Sequence, residues 1–279
     1  MRSDSAGRER LHWASLSDRG RVRSSNEDFA GDPNTLAALA GPEASLAARG
    51  ALFAVADGMG GHARGEVASR LAVEVLFTTF YTAPGEPAER FRRAMITANT
   101  AVRRAGILAA PEKAGENADA APLPPMGTTL VAALVLETWV LFGNVGDSRA
   151  YLLQNGNLEQ VSRDHTYFAE EIRRGLVTEE AAALLPFRHL ITRSMGARDE
   201  IEVDLFWRPW PAGSTLLLAT DGLHGVVDEL NMATILASQL PAVAVRHLVD
   251  AANEAGGPDN VTALVVRSVP PAPQARSTA

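Results

Sequence analysis

Five apolar runs, at residues 52–56, 128–136, 139–145, 215–219 and 261–266, carry almost no polar alternation. A strand with one wet face alternates with a period of two, whereas a strand covered on both faces reads as unbroken apolar sequence. The chain is therefore constrained to a layered fold with buried sheets. Residues 126–162 read as a meander. Glu137-Thr138 separates two of its strands, Gly146-Asp147 the next two, and Asn155-Gly156 is a type I′ hairpin signal.

Helical periodicity arrives in pairs. Residues 66–80 place Val67, Leu71, Val75, Leu76 and Phe80 on one stripe, and 87–107 do the same with Phe91, Met95, Ala98, Val102 and Ala105. Residues 228–239 and 241–255 form the second pair, the latter opened by Pro241 and closed by Gly256-Gly257. Runs of antiparallel strands with paired helices imply an α/β (α+β) fold: an α-β-β-α sandwich of two central antiparallel sheets flanked by helix pairs. A dinucleotide-binding fold is disfavoured, because strands do not alternate with helices and Gly58-Met59-Gly60-Gly61 lacks the required glycine spacing. Residues 32–49 and 111–125, rich in Ala, Gly and Pro, read as surface excursions of a single domain spanning 11–269. Residues 1–10 and 270–279 read as disordered tails.

A net charge of -7 argues against a nucleic-acid binder, which needs a basic stripe. It does not exclude an anionic substrate, since bound cations invert the local field. The chain has no cysteine, which removes disulfides, zinc-thiolate sites and thiol nucleophiles. The first residues have no apolar segment of the signal-peptide kind, and no stretch reaches the roughly 18 apolar residues of a membrane span. A cytoplasmic protein with no membrane partner is the expectation.

Aspartates punctuate the apolar runs: Asp57 in FAVADGMGG, Asp147 in FGNVGDSRA, Asp221 in LLLATDGL and Asp259 in GGPDNVTALVV. An ionised carboxylate at the mouth of a buried strand is costly unless something cationic faces it. Each has an ordinary alternative as a turn residue, and Asp147 could pair with Arg149. Together they read as an oxygen cage for hard divalent cations such as Mg or Mn, with the glycine after Asp57 free to turn and offer a carbonyl. Upstream, SDRGRVRSSNED sets Arg23 four residues before Glu27-Asp28. Its guanidinium fork suits phosphate oxygens, and the acidic pair could orient metal-bound water, although a solvated charged loop has the same composition.

The ordered set SDRGRVRSSNED, VADGMGGHARGEVAS, MGTTLVAALV, NVGDSRAYLL, SRDHT, ITRSMG, ATDGL and GGPDNVT resembles the metal-dependent serine/threonine protein phosphatases of the type 2C (PPM) family, bacterial branch, from about residue 17 to 266. The resemblance implies the same sandwich fold and two Mg or Mn ions per site, with a weaker third. Asp57 would bridge the two ions, and Gly58 would ligate the first through its carbonyl. Asp221 and Asp259 would complete the second, and Asp147 with Asp221 would hold the third. Glu27 and Asp28 would hold metal-bound waters, and Arg23 would bind phosphate.

The implied reaction is hydrolysis of phosphoserine and phosphothreonine by direct attack of a metal-bridging hydroxide, without a phosphoenzyme. The partners implied are phosphorylated proteins made by a separate kinase, and a monomer is expected. Met59 departs from the histidine found there in many eukaryotic relatives, which leaves the proton donor open between His62, a metal-bound water and solvent. Residues 163–193 correspond to a flap whose Arg173, Arg174, Arg188 and His189 could touch phosphopeptide or simply form a solvated face. Ser162, Asp164 and His165 read as structural. Two alternatives stand beside this function: a pseudophosphatase, disfavoured because every motif carboxylate is present, and a hydrolase of small phosphate monoesters.

Overall fold

A computed structural model describes residues 10–35, 49–60, 63–109, 126–178, 181 and 190–269. The unbroken apolar runs form the inner strands of two stacked antiparallel sheets. One sheet carries, in spatial order, β1 (Arg10–Asp18), β11 (Val261–Val269), β10 (Thr215–Ala219), β7 (Arg149–Gln154) and β8 (Asn157–Gln160). The other carries β2 (Asp28–Gly31), β3 (Ala51–Met59), β5 (Leu130–Val135), β6 (Trp139–Val145) and β9 (Asp204–Pro209), with β4 (Gly127–Thr128) pairing to the end of β3. The helices are α1 (Ala63–Thr82), α2 (Pro87–Leu108), α3 (Tyr167–Arg173), α4 (Asp221–His224), α5 (Glu229–Ser238) and α6 (Pro241–Glu254).

Phe53, Val55, Val131 and Phe142 of one sheet pack against Leu152, Leu216, Leu218 and Leu264 of the other, filling the sandwich. The alternate residues Leu52, Ala54, Leu130 and Leu141 face outward onto α1 and α2. Leu217, Ala263 and Val265 do the same beneath α5 and α6. Every inner strand is thus apolar on both faces, which is why alternation is missing from its sequence. The expected four-layer sandwich is what forms.

Three expectations need correction. The meander is broken at Gly146-Asp147, because β6 pairs with β5 and β9 whereas β7 pairs with β8 and β10. At that turn the chain crosses from one sheet to the other. Val67 is half exposed rather than on the buried stripe of α1. The helix begins at Ala63, and Gly65 is pressed against β3, where a Cβ would collide with the Gly58 carbonyl side of that strand. The buried stripe therefore runs 65, 68, 69, 72, 73, 76, 77 and 80, leaving Val67 on the far face. Strands β1 and β9 are edge strands of mixed composition that the apolar-run criterion does not detect, and β1 takes in Arg10 from the expected tail. The Asn155-Gly156 hairpin forms as expected, with Asn155 at φ 50 and Gly156 at φ 82 between the partners Gln154 and Asn157. The expected loop 111–125, most of 32–49 and the tails beyond Arg10 and Val269 lie outside the described residues.

Candidate active site

The expected site residues that are described come from both sheets and their connecting turns, and they meet at one end of the sandwich. Asp28 opens β2 and Asp57 lies near the end of β3, directly opposite it in the antiparallel register. Facing partners share one side of a sheet with Cβ atoms about 5 Å apart. Here that side is the inter-sheet one, since Asp57 continues the stripe of Phe53 and Val55. From the other sheet, Asp221 follows β10 as the first residue of α4, and Asp259 precedes β11. Asp147 sits in the turn by which the chain changes sheets.

The main chain around Asp57 is tied on both sides. Its N–H donates to Thr129 Oγ1 at 2.9 Å, and its carbonyl accepts from Thr128 Oγ1 at 2.8 Å and Thr129 N–H at 2.9 Å. Thr129 Oγ1 also meets Ser148 Oγ at 2.7 Å, which links this strand to the Asp147 turn. Backbones approach closely at Gly58, where a Cβ would collide with the main chain of Gly65. Gly58 N–H donates to the Glu27 carbonyl at 3.1 Å, which Ser69 Oγ also reaches at 2.6 Å. The Glu27 carboxylate lies against Gly65, so that any side chain there would strike it.

Asp28 is 6% exposed, and its Oδ2 accepts from Thr220 Oγ1 at 2.8 Å and Thr262 Oγ1 at 2.7 Å. These threonines flank the ends of β10 and β11, so one carboxylate of the first sheet is held by two hydroxyls of the second. Asp28 Oδ1 is buried without a hydrogen-bond partner among the described residues. A buried carboxylate oxygen left over in this way is a vacant acceptor for a cation or its water.

The electrostatics point the same way. Burial first, and then Asp28, Asp221, Asp147 and Asp259, raise the Asp57 carboxyl well above the usual carboxylate range. Burial pushes Asp28 up to about 7 despite its two hydroxyls, with Asp221 and Asp259 adding to the effect. Burial likewise carries Asp147 to about 7, followed by Asp221 and Asp164. Carboxylates crowded out of water in this way favour either protons or multivalent cations.

The donor set fits hard cations, being made of carboxylates and backbone carbonyls with no thiol. Among the described residues no three acidic or imidazole side chains stand closely enough to wrap an ion unaided. Bound ions would therefore draw other ligands from backbone carbonyls and water, as Mg and Mn commonly do.

The Arg23 guanidinium reaches the cluster. Arg23 donates to Asp259 Oδ2 at 2.6 Å, and its charge is reinforced first by that bond and then by Asp259, Asp57 and Asp221. Its side chain is 56% exposed, which leaves it open to a ligand from solvent. Arg149 does not pair with Asp147. It forms a two-pronged ion pair with Asp164, at 2.7 Å from Nη2 to Oδ2 and 3.0 Å from Nε to Oδ1. His62, Arg188 and His189 lie outside the described residues. Within the expected flap, Arg173 donates to the Asp164 carbonyl and Arg174 pairs with Glu171.

Sequence reading missed Asn260. Its Oδ1 accepts from Glu27 N–H at 2.8 Å, while its Nδ2 donates to the carbonyls of Arg19 at 2.9 Å and Ser25 at 2.8 Å. Its own N–H donates to Asp259 Oδ1 at 2.8 Å. One amide thus fastens the loop bearing Arg23 and Glu27 to the turn bearing Asp259. An asparagine beside a candidate ligand is the only sequence signal of this, and a turn explains it equally well.

Comparison with known proteins finds similar chains of one family. The sequence profile of the family described as protein phosphatase 2C matches residues 39–254. A serine/threonine phosphatase, stp, of Listeria welshimeri is 36% identical over 267 residues, covering 92% of this chain and 95% of that protein. The serine/threonine protein phosphatase PstP of Mycobacterium tuberculosis is 37% identical over 258 residues, covering 91% of this chain and 44% of that protein. The crystal structure of the M. tuberculosis phosphatase PstP superposes with a TM-score of 0.76 at 34% identity, over 93% of this chain and 99% of that one. A structure of the PstP catalytic domain in complex with two manganese ions superposes with a TM-score of 0.74, also at 34% identity, over 93% of this chain and 98% of that one.

Proposed function

The chain belongs to the protein phosphatase 2C family, and on that footing we propose how its clustered carboxylates and Arg23 are used. It is a metal-dependent serine/threonine protein phosphatase that acts on phosphorylated proteins. The observation that carries the site assignment is the meeting of Asp28 and Asp57 from one sheet with Asp221 and Asp259 from the other, where Arg23 bonds Asp259.

Asp57, Asp221 and Asp259, with the Gly58 carbonyl, are assigned to two Mg or Mn ions, and Asp147 with Asp221 to a weaker third. When bound, such ions acidify water and neutralise phosphoryl charge. The chain's own part is to bind and orient. Arg23, anchored by Asp259, presents its fork to the non-bridging oxygens of the phosphoryl group, where charge must be stabilised. Thr220 and Thr262 occupy Asp28 Oδ2, which leaves its buried Oδ1 as the oxygen for the cluster. Glu27 is assigned with Asp28 to orienting water. No side chain needs to form a covalent intermediate, which suits a chain without cysteine.

The proposal extends to a single catalytic domain over 11–269, acting as a monomer on proteins phosphorylated by a separate kinase, in the cytoplasm and without nucleic-acid or membrane partners. Among the described residues no helix is long and apolar enough to cross a membrane. The test is hydrolysis of an aryl phosphate and of a phosphothreonine peptide with Mn, with Mg and with chelator. Hydrolysis of both that stops in chelator is expected, and activity persisting in chelator refutes the metal-dependent reading.

A further inference from the structure

Beneath the Asp147 turn lies a buried polar group that the reaction as described does not use. His165 is fully buried, and its Nδ1 accepts the Gly146 N–H at 3.0 Å. The His165 N–H in turn donates to the Gly146 carbonyl at 3.0 Å, so the two residues are joined twice. A neutral imidazole has one acceptor nitrogen and one N–H. With Nδ1 accepting, the proton must be on Nε2, which faces Asp204 Oδ2 at 3.3 Å. Arg193 Nη1 also lies 3.1 Å from Nε2, but its acceptors are Asp204 Oδ1 at 2.8 Å and the Glu202 carbonyl at 3.2 Å, because Nε2 has no lone pair to offer.

The neighbouring contacts turn this into a support for the turn. Asn144 lies opposite Asp204 in the β6–β9 register, and its Nδ2 donates to the Gly146 carbonyl at 3.2 Å and the Arg163 carbonyl at 2.8 Å. Gly146, at φ +110, packs on Thr129, with no room for a Cβ. Thr129 is the residue that accepts the Asp57 N–H. A shift of Gly146 would therefore be passed to Asp147 through the chain and to Asp57 through Thr129.

The geometry points to His165, oriented by Asp204, as the positioning residue that sets where the Gly146-Asp147 turn stands relative to Asp57. This rests on the proposed use of Asp147 as a metal ligand. His165 touches no reacting atom, and it acts by presenting an acceptor to one amide. Ordinary packing would make the ring bulk matter, whereas positioning requires the acceptor on one side and the donor on the other.

Two variants separate these demands: His165→Phe keeps the ring and removes both nitrogens, and His165→Gln keeps an acceptor and a donor. For His165→Phe we expect kcat on aryl phosphate to fall about tenfold and the Mn concentration for half-maximal activity to rise about tenfold, the range seen when partners of metal ligands are removed. KM for the ester should stay within about twofold, and His165→Gln should restore most of the loss.

Two readouts need no metal. Nitrogen-15 NMR of the parent should find the His165 proton on Nε2, and the Gly146 amide should exchange slowly in the parent and the Gln variant but rapidly in the Phe variant. The inference is overturned by a proton on Nδ1, or by a folded Phe variant with parental Gly146 protection and Mn dependence. If the Phe variant does not fold, the tautomer and the Gln variant decide, and a Gln variant with an unprotected Gly146 amide overturns it. Should the parent fail to hydrolyse aryl phosphate in Mn, the proposed function falls, while the tautomer and exchange measurements still judge the positioning.

Discussion

Asp28 and Asp57 are direct partners in the β2–β3 ladder, so two carboxylates project side by side from one sheet into the space between sheets. Like charges opposite one another are unfavourable in any strand pair. One member of the pair is held by Thr220 and Thr262 of the other sheet.

The metal-free protein should therefore be held back by its own cluster. Asp57→Asn removes one of the mutually repelling charges, and the variant should melt higher than the parent in chelator. With Mn the order should reverse, since a ligand present at a hundred times its dissociation constant adds about 2.7 kcal/mol to the parent. Thermal melts of both proteins in each condition check this. A parent that melts at the same temperature with and without Mn counts against metal binding at this cluster.

Arg23→Ala should chiefly raise KM. A charge-assisted bond to phosphate contributes roughly 1.5–3 kcal/mol, or about 10- to 150-fold in kcat/KM. Steady-state kinetics on a phosphothreonine peptide measure it, and unchanged constants remove Arg23 from phosphate binding.

Asp221→Asn should lower kcat by at least about a hundredfold while the fold is retained. Circular dichroism and kinetics on the same preparation settle this, and near-normal turnover excludes Asp221 as a ligand.

Asn260→Ala should be costly for its size. It deletes three side-chain hydrogen bonds, each contributing about 1 kcal/mol, and leaves the Glu27 N–H and two carbonyls to find water. Denaturant unfolding should show a loss of about 2–3 kcal/mol, with kcat/KM falling as Arg23 and Glu27 lose their frame.

Acid sensitivity should be visible at Asp204. Its hydrogen bond from His165, and then the Arg193 guanidinium, hold the carboxyl at about 2 against the opposing effect of burial. The folded value lies below the ordinary 3.8, so the stabilisation is present above about pH 4 and is lost as pH falls toward 2. The difference amounts to about 2 kcal/mol. Unfolding of Asp204→Asn against the parent should differ by roughly this amount at pH 7 and converge near pH 2.

The layered architecture was legible because burial on both faces leaves its mark along each inner strand. Strands β1 and β9 were not, since an edge strand mixes polar and apolar residues and Trp207 and Arg208 read equally well as loop. The jump between sheets at Gly146-Asp147 was hidden for a different reason: a two-residue connection looks the same in sequence whether it reverses the chain within a sheet or carries it across. Asp57, Asp147, Asp221 and Asp259 were legible as charges at the ends of apolar runs. Thr220, Thr262 and Asn260 were not, because their importance lies in partners 192, 234 and 233 residues away.

The cluster draws Asp28 and Asp57 from one sheet and Asp221 and Asp259 from the other, so its dimensions are set by the thickness of the filling between them. Phe53, Phe142, Leu218 and Leu264 are spacers as much as they are core. A close-packed interior transmits a change of one methylene, and trimming any of these side chains alters the gap across which the carboxylates face each other. On the proposed assignment of these carboxylates, cation affinity should gauge sandwich width, and residues that never meet a substrate should share in tuning it.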